Sequence, residues 1–163
     1  MAQNSQNRQN DPNSQNEQAN LTADVVAIAE HDQQRYVLLI QRAEDCDAEP
    51  GKLALPGGHL DAGERAEDAA RRELAEETGL IAPAALDEIG AYHAPGRDPR
   101  GRYVTVAYLA WLDHLPSLTA GDDASAAHWY QLGDVLAEPD QLAFDHAAIL
   151  AAAVAQLGQV ASR

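Results

Sequence analysis

Between Gly58 and Leu80 the chain carries Glu64, then Arg72-Glu73-Leu74-Ala75-Glu76-Glu77-Thr78, and closes on Gly79. On a helix advancing about 100° per residue, Glu73, Glu76 and Glu77 continue the stripe that Ala66, Ala69 and Ala70 occupy two turns earlier, the face expected to turn inward. Carboxylates gathered on a sheltered face repel one another and lose hydration, a cost relieved when a cation is ligated there. A hard divalent ion with oxygen ligands, Mg²⁺ or Mn²⁺, resolves the conflict, which points to metal-assisted phosphate chemistry. For any single pair of glutamates the competing reading is a solvated helix face with i,i+4 partners such as Asp68 and Arg72. The full run at these spacings arises by chance on the order of once in 10⁹ starts at ordinary residue frequencies.

A second constellation is Pro95-Gly96-Arg97-Asp98-Pro99-Arg100-Gly101-Arg102, where three of the chain's 11 basic residues cluster. Prolines and glycines specify a loop there. Guanidinium groups pair bidentately with phosphate oxygens and stack on flat rings, so Arg97, Arg100 and Arg102, with Pro95 shaping the loop, suit a phosphorylated ligand. An ion pair of Asp98 with Arg97 or Arg100 that merely pins the loop stays open beside that reading. Turn chemistry alone accounts for Ala120-Gly121-Asp122-Asp123. His59, a lone histidine beside the glycine loop, reads as structural rather than catalytic. Trp111, Trp129 and Tyr130 read as core, and Tyr92 or Tyr108 could offer a stacking face to a base.

The elements that must position these groups follow from periodicity and punctuation. Leu55-Pro56-Gly57-Gly58-His59 reads as the end of a strand turning through glycines, and Arg65 to Thr78 as a helix stopped by Gly79 in the left-handed cap position. Asp24–Glu30 and Tyr36–Arg42 read as a hairpin around the polar stretch 31–35. Gly51–Leu55, Leu86–His93, Tyr103–Leu112 and His128–Leu132 read as further strands. Gly133–Leu136 reads as a helical turn, and Phe144–Leu157 as an Ala-rich helix that Gly158 ends. The interleaving predicts an α/β fold with a mixed sheet flanked by helices. Residues 1–20 contain 11 Asn or Gln and no apolar periodicity, which predicts a disordered tail before one domain spanning 21–160.

Gly58-x5-Glu64-x7-Arg72-Glu73-Leu74-x-Glu76-Glu77-x-Gly79-Leu80 resembles the Nudix box at every defined position. The resemblance implies an α/β/α sandwich that hydrolyses a nucleoside diphosphate linked to another moiety, using divalent cations. It further implies Glu73, Glu76 and Glu77 as principal metal ligands, Glu64 and the Gly58 carbonyl as assisting ones, and Arg72 as the residue orienting Glu73. Pro95 after the box, Arg97-Asp98-Pro99-Arg100-Gly101 and the run Val104–Leu109 resemble the bacterial ADP-ribose pyrophosphatase branch of the family, and also the ligand-sensing domain of Nudix-related repressors. Those repressors add a winged helix, for which the sequence up to Arg163 leaves no room. By the same resemblance Asp123 is the loop carboxylate that contacts metal or activates water, with Glu73 or Glu77 as other candidates for the base, and the chain is expected to form a homodimer. The expected reaction is ADP-ribose and water to AMP and ribose 5-phosphate. The alternatives are an oxidised-dNTP pyrophosphatase and a non-catalytic ADP-ribose sensor.

Composition sets compatible bounds. At 163 residues the chain has room for one ordinary domain. A formal net charge of -15 argues against a nucleic-acid duplex or an anionic membrane surface as partner. It favours a small polyphosphate that arrives with cations. Cys46, the single cysteine, excludes an internal disulfide and fits a reducing compartment. With no spanning stretch and no signal-like N-terminus, the expected location is the cytoplasm.

Overall fold

A computed structural model describes residues 18–118 and 127–160. Its centre is a seven-stranded mixed sheet built on the order β3-β2-β1-β6-β5, with β4 paired to β1 and β7 to β2. The strands are β1 Asn20–His31, β2 Gln34–Gln41, β3 Leu53–Ala54, β4 Gly57–His59, β5 Asp87–Tyr92, β6 Tyr103–Leu112 and β7 Ala127–Gln131. The helices are α1 Ala66–Thr78, α2 Leu132–Ala137 and α3 His146–Val160. Among the strand pairs of the described residues, β1 and β6 run parallel and the others are antiparallel.

Alternation along β1 divides the core in two. Val26 and Ile28 face one side, packing with Leu109, Val135, Ile149 and Leu150 beneath α2 and α3. Ala23, Val25, Ala27 and Ala29 face the other, packing with Ala69, Ala70 and Leu74 of α1. Alanines on both surfaces let α1 lie close to the sheet. The result is the expected α/β/α sandwich.

Several boundaries differ from the sequence reading. β1 begins at Asn20, not Asp24, because the parallel ladder with β6 pairs Asn20 with Tyr103 and Leu21 with Val104, where no local apolar pattern marks a strand. Asn20, in the stretch whose composition predicts a tail, thus opens the first strand. Gly57–His59 is a strand in its own right, paired with Thr22–Asp24 of β1. The β1–β2 turn is carried by Asp32 and Gln33, both at positive φ (50° and 62°), the form that matches strand twist in a two-residue hairpin. α3 starts two residues late, since Phe144 sits at φ 54°, and it runs through Gly158 to Val160. Glycine permits a helix stop but does not impose one. Trp111 is 37 % exposed and stacks under Arg35 instead of entering the core, whereas Trp129 and Tyr130 are half-buried and pack against the core as expected. Among the described residues no helix is long and apolar enough to cross a membrane.

Candidate active site

Gly79 closes α1 at φ 69°, and its N–H donates to the Ala75 carbonyl, so the helix ends where the sequence placed its stop. α1 lies against β4, which brings the glutamates to the glycine strand. Arg72 is the hub of the cluster. Its Nε and Nη2 donate to the two carboxylate oxygens of Glu64 at 3.0 and 2.8 Å. Nη1 donates to Glu73 at 2.7 Å and to Glu76 at 3.3 Å, and Nη2 also reaches the His59 carbonyl at 2.9 Å. The Arg72 fork and the Asp61 backbone N–H hold the Glu64 carboxyl down to about 2, and the same carboxylates raise the Arg72 guanidinium further.

The expected inward stripe is uneven. The Glu73 carboxylate packs so close to Gly58 that a Cβ there would lie 2.4 Å from its Cδ. Glu77 accepts the Gly57 N–H at 2.9 Å and is largely desolvated. Burial pushes its carboxyl up to about 8; the Gly57 bond opposes this, and the charges of Glu73 and Asp24 add to it. Glu76 lies at the solvent rim, its side chain 60 % exposed. Among the described residues no three acidic, His or Cys side chains converge into a ready cage, since Arg72 stands among Glu64, Glu73 and Glu76. The donors are nonetheless oxygen atoms alone, and a buried carboxylate lifted toward neutrality is relieved by a nearby cation. The set fits a hard divalent ion.

Glu77 and the glycine strand open onto a cleft. Gly57, Gly58, His59 and Glu77 line it together with Arg97, Asp98, Arg100, Tyr103 and Phe144, the His59 and Tyr103 rings meeting edge-on at 5.7 Å, and Thr22, Asp24, Arg42 and His146 also face it. The arginine loop does two jobs. Arg97, its side chain 4 % exposed, forks onto Asp145 at 2.9 and 2.6 Å, tying the loop to the start of α3. Arg100 pairs with Asp98 at 2.6 Å, the pinning contact allowed by the sequence, and lies over the rings of Tyr103 and Phe144. Burial pushes the Asp98 carboxyl up, but the Arg100 contacts more than offset this and hold it low. Arg102 turns away to the His93 carbonyl, and neither it nor Pro95 lines the cleft. Asp123 lies outside the described residues. Tyr92 and Tyr108 face the core instead of the cleft; the aromatic rings on its wall are Tyr103 and Phe144.

Sequence reasoning missed Asp24, His146, Phe144 and Arg42. Asp24 did carry a signal, an acid at the head of the apolar run 25–29 in a central strand. It is buried and accepts the Thr105 hydroxyl at 2.6 Å. His146 is also buried; burial lowers its pKa, and its Nδ1 accepts the Leu55 N–H. No local pattern marked it. The Phe144 ring contacts the guanidinium groups of both Arg42 and Arg100, 4.9 and 5.1 Å from its centre.

A mixed sheet between helices, with a carboxylate-bearing helix set against a glycine strand beside a cleft, is the architecture of a Nudix domain. The chain belongs to the NUDIX domain family, whose model matches residues 20–153. It is 41 % identical over 115 residues to the ADP-ribose pyrophosphatase of Methanocaldococcus jannaschii, covering 70 % of this chain and 63 % of that protein. It is 32 % identical over 139 residues to the ADPR responsive transcriptional repressor NtrR of Acinetobacter baylyi, covering 84 % of this chain and 54 % of that one. The chain thus spans less than two thirds of the length of either relative. Among solved structures, the NUDIX domain of Shewanella oneidensis NrtR complexed with ADP ribose is similar at a TM-score of 0.75 and 35 % identity, covering 86 % of this chain and 89 % of that one.

Proposed function

We propose that this chain is a metal-dependent ADP-ribose pyrophosphatase, converting ADP-ribose and water to AMP and ribose 5-phosphate. The observation that carries the reading is the cleft itself. The desolvated Glu77 carboxylate and a guanidinium group stacked on two rings line one cleft, in a chain similar over most of its length to an ADP-ribose pyrophosphatase.

Glu73 and Glu77, with Glu64, Glu76 and the Gly58 carbonyl around them, would hold Mg²⁺ or Mn²⁺. When bound, such an ion neutralises pyrophosphate charge and acidifies water. Arg72 fixes Glu73 through its 2.7 Å bond while its other edge is locked on Glu64, so the carboxylate is oriented before substrate arrives. A carboxylate of this group, Glu73 or Glu77, takes the proton of the attacking water. Arg100, held by Asp98 through Nε and Nη2, presents its face beside Tyr103 and Phe144 to the far end of the ligand.

The test is turnover of ADP-ribose with Mg²⁺ or Mn²⁺, products resolved by chromatography. AMP release is expected, and Glu77→Gln should cut it by at least about a hundredfold at saturating metal. A second reading, an ADP-ribose sensor, is supported by the similarity to the transcriptional repressor NtrR. It predicts binding of ADP-ribose without AMP release. Consumption of an oxidised dNTP in place of ADP-ribose would establish the triphosphate alternative.

A further inference from the structure

Asp24 in β1 and His146 at the start of α3 are both buried, yet both face the cleft. Burying a carboxylate and an imidazole is costly unless their polar atoms find partners. The protein supplies only part of that set. Thr105 donates to Asp24 Oδ2 at 2.6 Å, and the Leu55 N–H donates to His146 Nδ1 at 3.0 Å. Because Nδ1 accepts, the neutral ring carries its proton on Nε2. That Nε2 stands 4.0 Å from Asp24 Oδ2, beyond hydrogen-bond distance.

A donor and an acceptor at this separation are both satisfied by one oxygen lying about 2.8 Å from each. Such an oxygen must accept from His146 and donate to Asp24, which describes an O–H group, of a ligand hydroxyl or of water. A phosphate oxygen has no proton to give and is repelled by the carboxylate. The position agrees with the chemistry. Asp24 abuts Gly57 of the glycine strand, and the His146 ring packs edge-on against Phe144, 5.3 Å away, the ring on which Arg100 stacks. A sugar attached to a pyrophosphate held beside the glycine strand would reach the pair.

We propose that Asp24 and His146 together grip one sugar hydroxyl of the bound nucleotide and select for it. The inference rests on the cleft being the nucleotide site proposed above. It is tested with ADP-ribose and a set of analogues, each lacking one sugar hydroxyl. For wild-type protein, one analogue should lose about ten- to a hundredfold in kcat/KM, mainly through KM, while the others lose little. His146→Asn keeps an acceptor for the Leu55 N–H but deletes the Nε2 donor, and Asp24→Asn removes the charge at constant shape. Each should raise KM for ADP-ribose about tenfold and bring the ratio for that analogue close to one. His146→Gln, which returns a donor toward the cleft, should regain part of the ratio.

Equal handling of every analogue by wild-type protein overturns the proposal. So does an equal loss on all ligands in the variants, the pattern expected if the pair only holds a structural water. Protein that ignores ADP-ribose but hydrolyses nucleoside triphosphates defeats the substrate reading alone. The pair is then judged by the ribo- over deoxyribonucleotide ratio, which must exceed about tenfold and collapse in His146→Asn. Protein that binds ADP-ribose without turnover is judged by the same analogue ratios in Kd, measured by calorimetry.

Discussion

Two adjacent glycines of β4 predict opposite outcomes for the same substitution. A Cβ on Gly58 would sit 2.4 Å from Glu73 Cδ and 2.5 and 2.6 Å from its two oxygens. Ordinary contact begins near 3.4 Å, so the carboxylate must move by about 1 Å. It is the far end of a flexible side chain and can move without disturbing the backbone. Gly58→Ala should therefore keep the melting temperature within about 3 °C of wild type, yet lower kcat by about a hundredfold, the usual effect of a 1 Å misplacement of a reacting or ligating group. On Gly57 the added Cβ would lie 2.3 Å from the Ala23 carbonyl oxygen and 2.8 Å from Asp24 Cα. Those are backbone atoms of the strand paired with β4, so relief requires prising β4 from β1. Gly57→Ala should cost about 2–3 kcal/mol and lower the melting temperature by about 5–10 °C. The assay is thermal melting of both variants beside AMP release at saturating Mg²⁺. Wild-type turnover in Gly58→Ala, or a Gly57→Ala protein as stable as Gly58→Ala, would refute the geometry on which the site is built.

Stability should also report on Glu77. The folded protein holds this proton to about pH 8 while the unfolded chain releases it near 4.5, so within that window folding binds protons and stability falls as pH rises. His146, kept neutral by burial, acts in the opposite direction only below its unfolded value of 6.5. Between pH 6.5 and 8 in EDTA the Glu77 contribution should therefore cost up to about 2 kcal/mol; Mg²⁺ should restore it, and a flat melting profile would contradict the burial. Two of the cleft arginines should differ in their effect on substrate. Arg97→Ala strands Asp145 and Arg100→Ala strands the buried Asp98, so each is expected to cost about 3 kcal/mol in chemical denaturation, but Arg100→Ala should also raise KM for ADP-ribose about tenfold in the protein that remains folded. Arg72→Lys keeps the charge but loses the fork that spans Glu64 and Glu73, so kcat should fall at least about tenfold, with circular dichroism confirming the fold.

What the sequence determined by itself was local. The helix that bears Glu73, Glu76 and Glu77 and its stop at Gly79 were readable, because helix period and cap chemistry act over a few residues, whereas the glycines read as a turn belong to a strand paired with β1. The long strand Tyr103–Leu112 was readable for the same reason, and the mixed sheet followed from the order of elements. Tertiary structure alone decided which polar residues share the cleft. Asp24 and His146 come to the same cleft because β1 lies in the middle of the sheet and the Leu55 N–H, next to β4, donates to His146 at the start of α3, a contact between residues 91 positions apart. Arg97 could be read as loop chemistry, but its partner Asp145 lies 48 positions away, and only packing turned a candidate phosphate contact into a tie between loop and helix. Burial likewise sorted the glutamates of one stripe, sheltering Glu77 and leaving Glu76 at the rim. A helical wheel gives each residue its direction, but not the distance to the neighbouring strand that decides how much water it keeps.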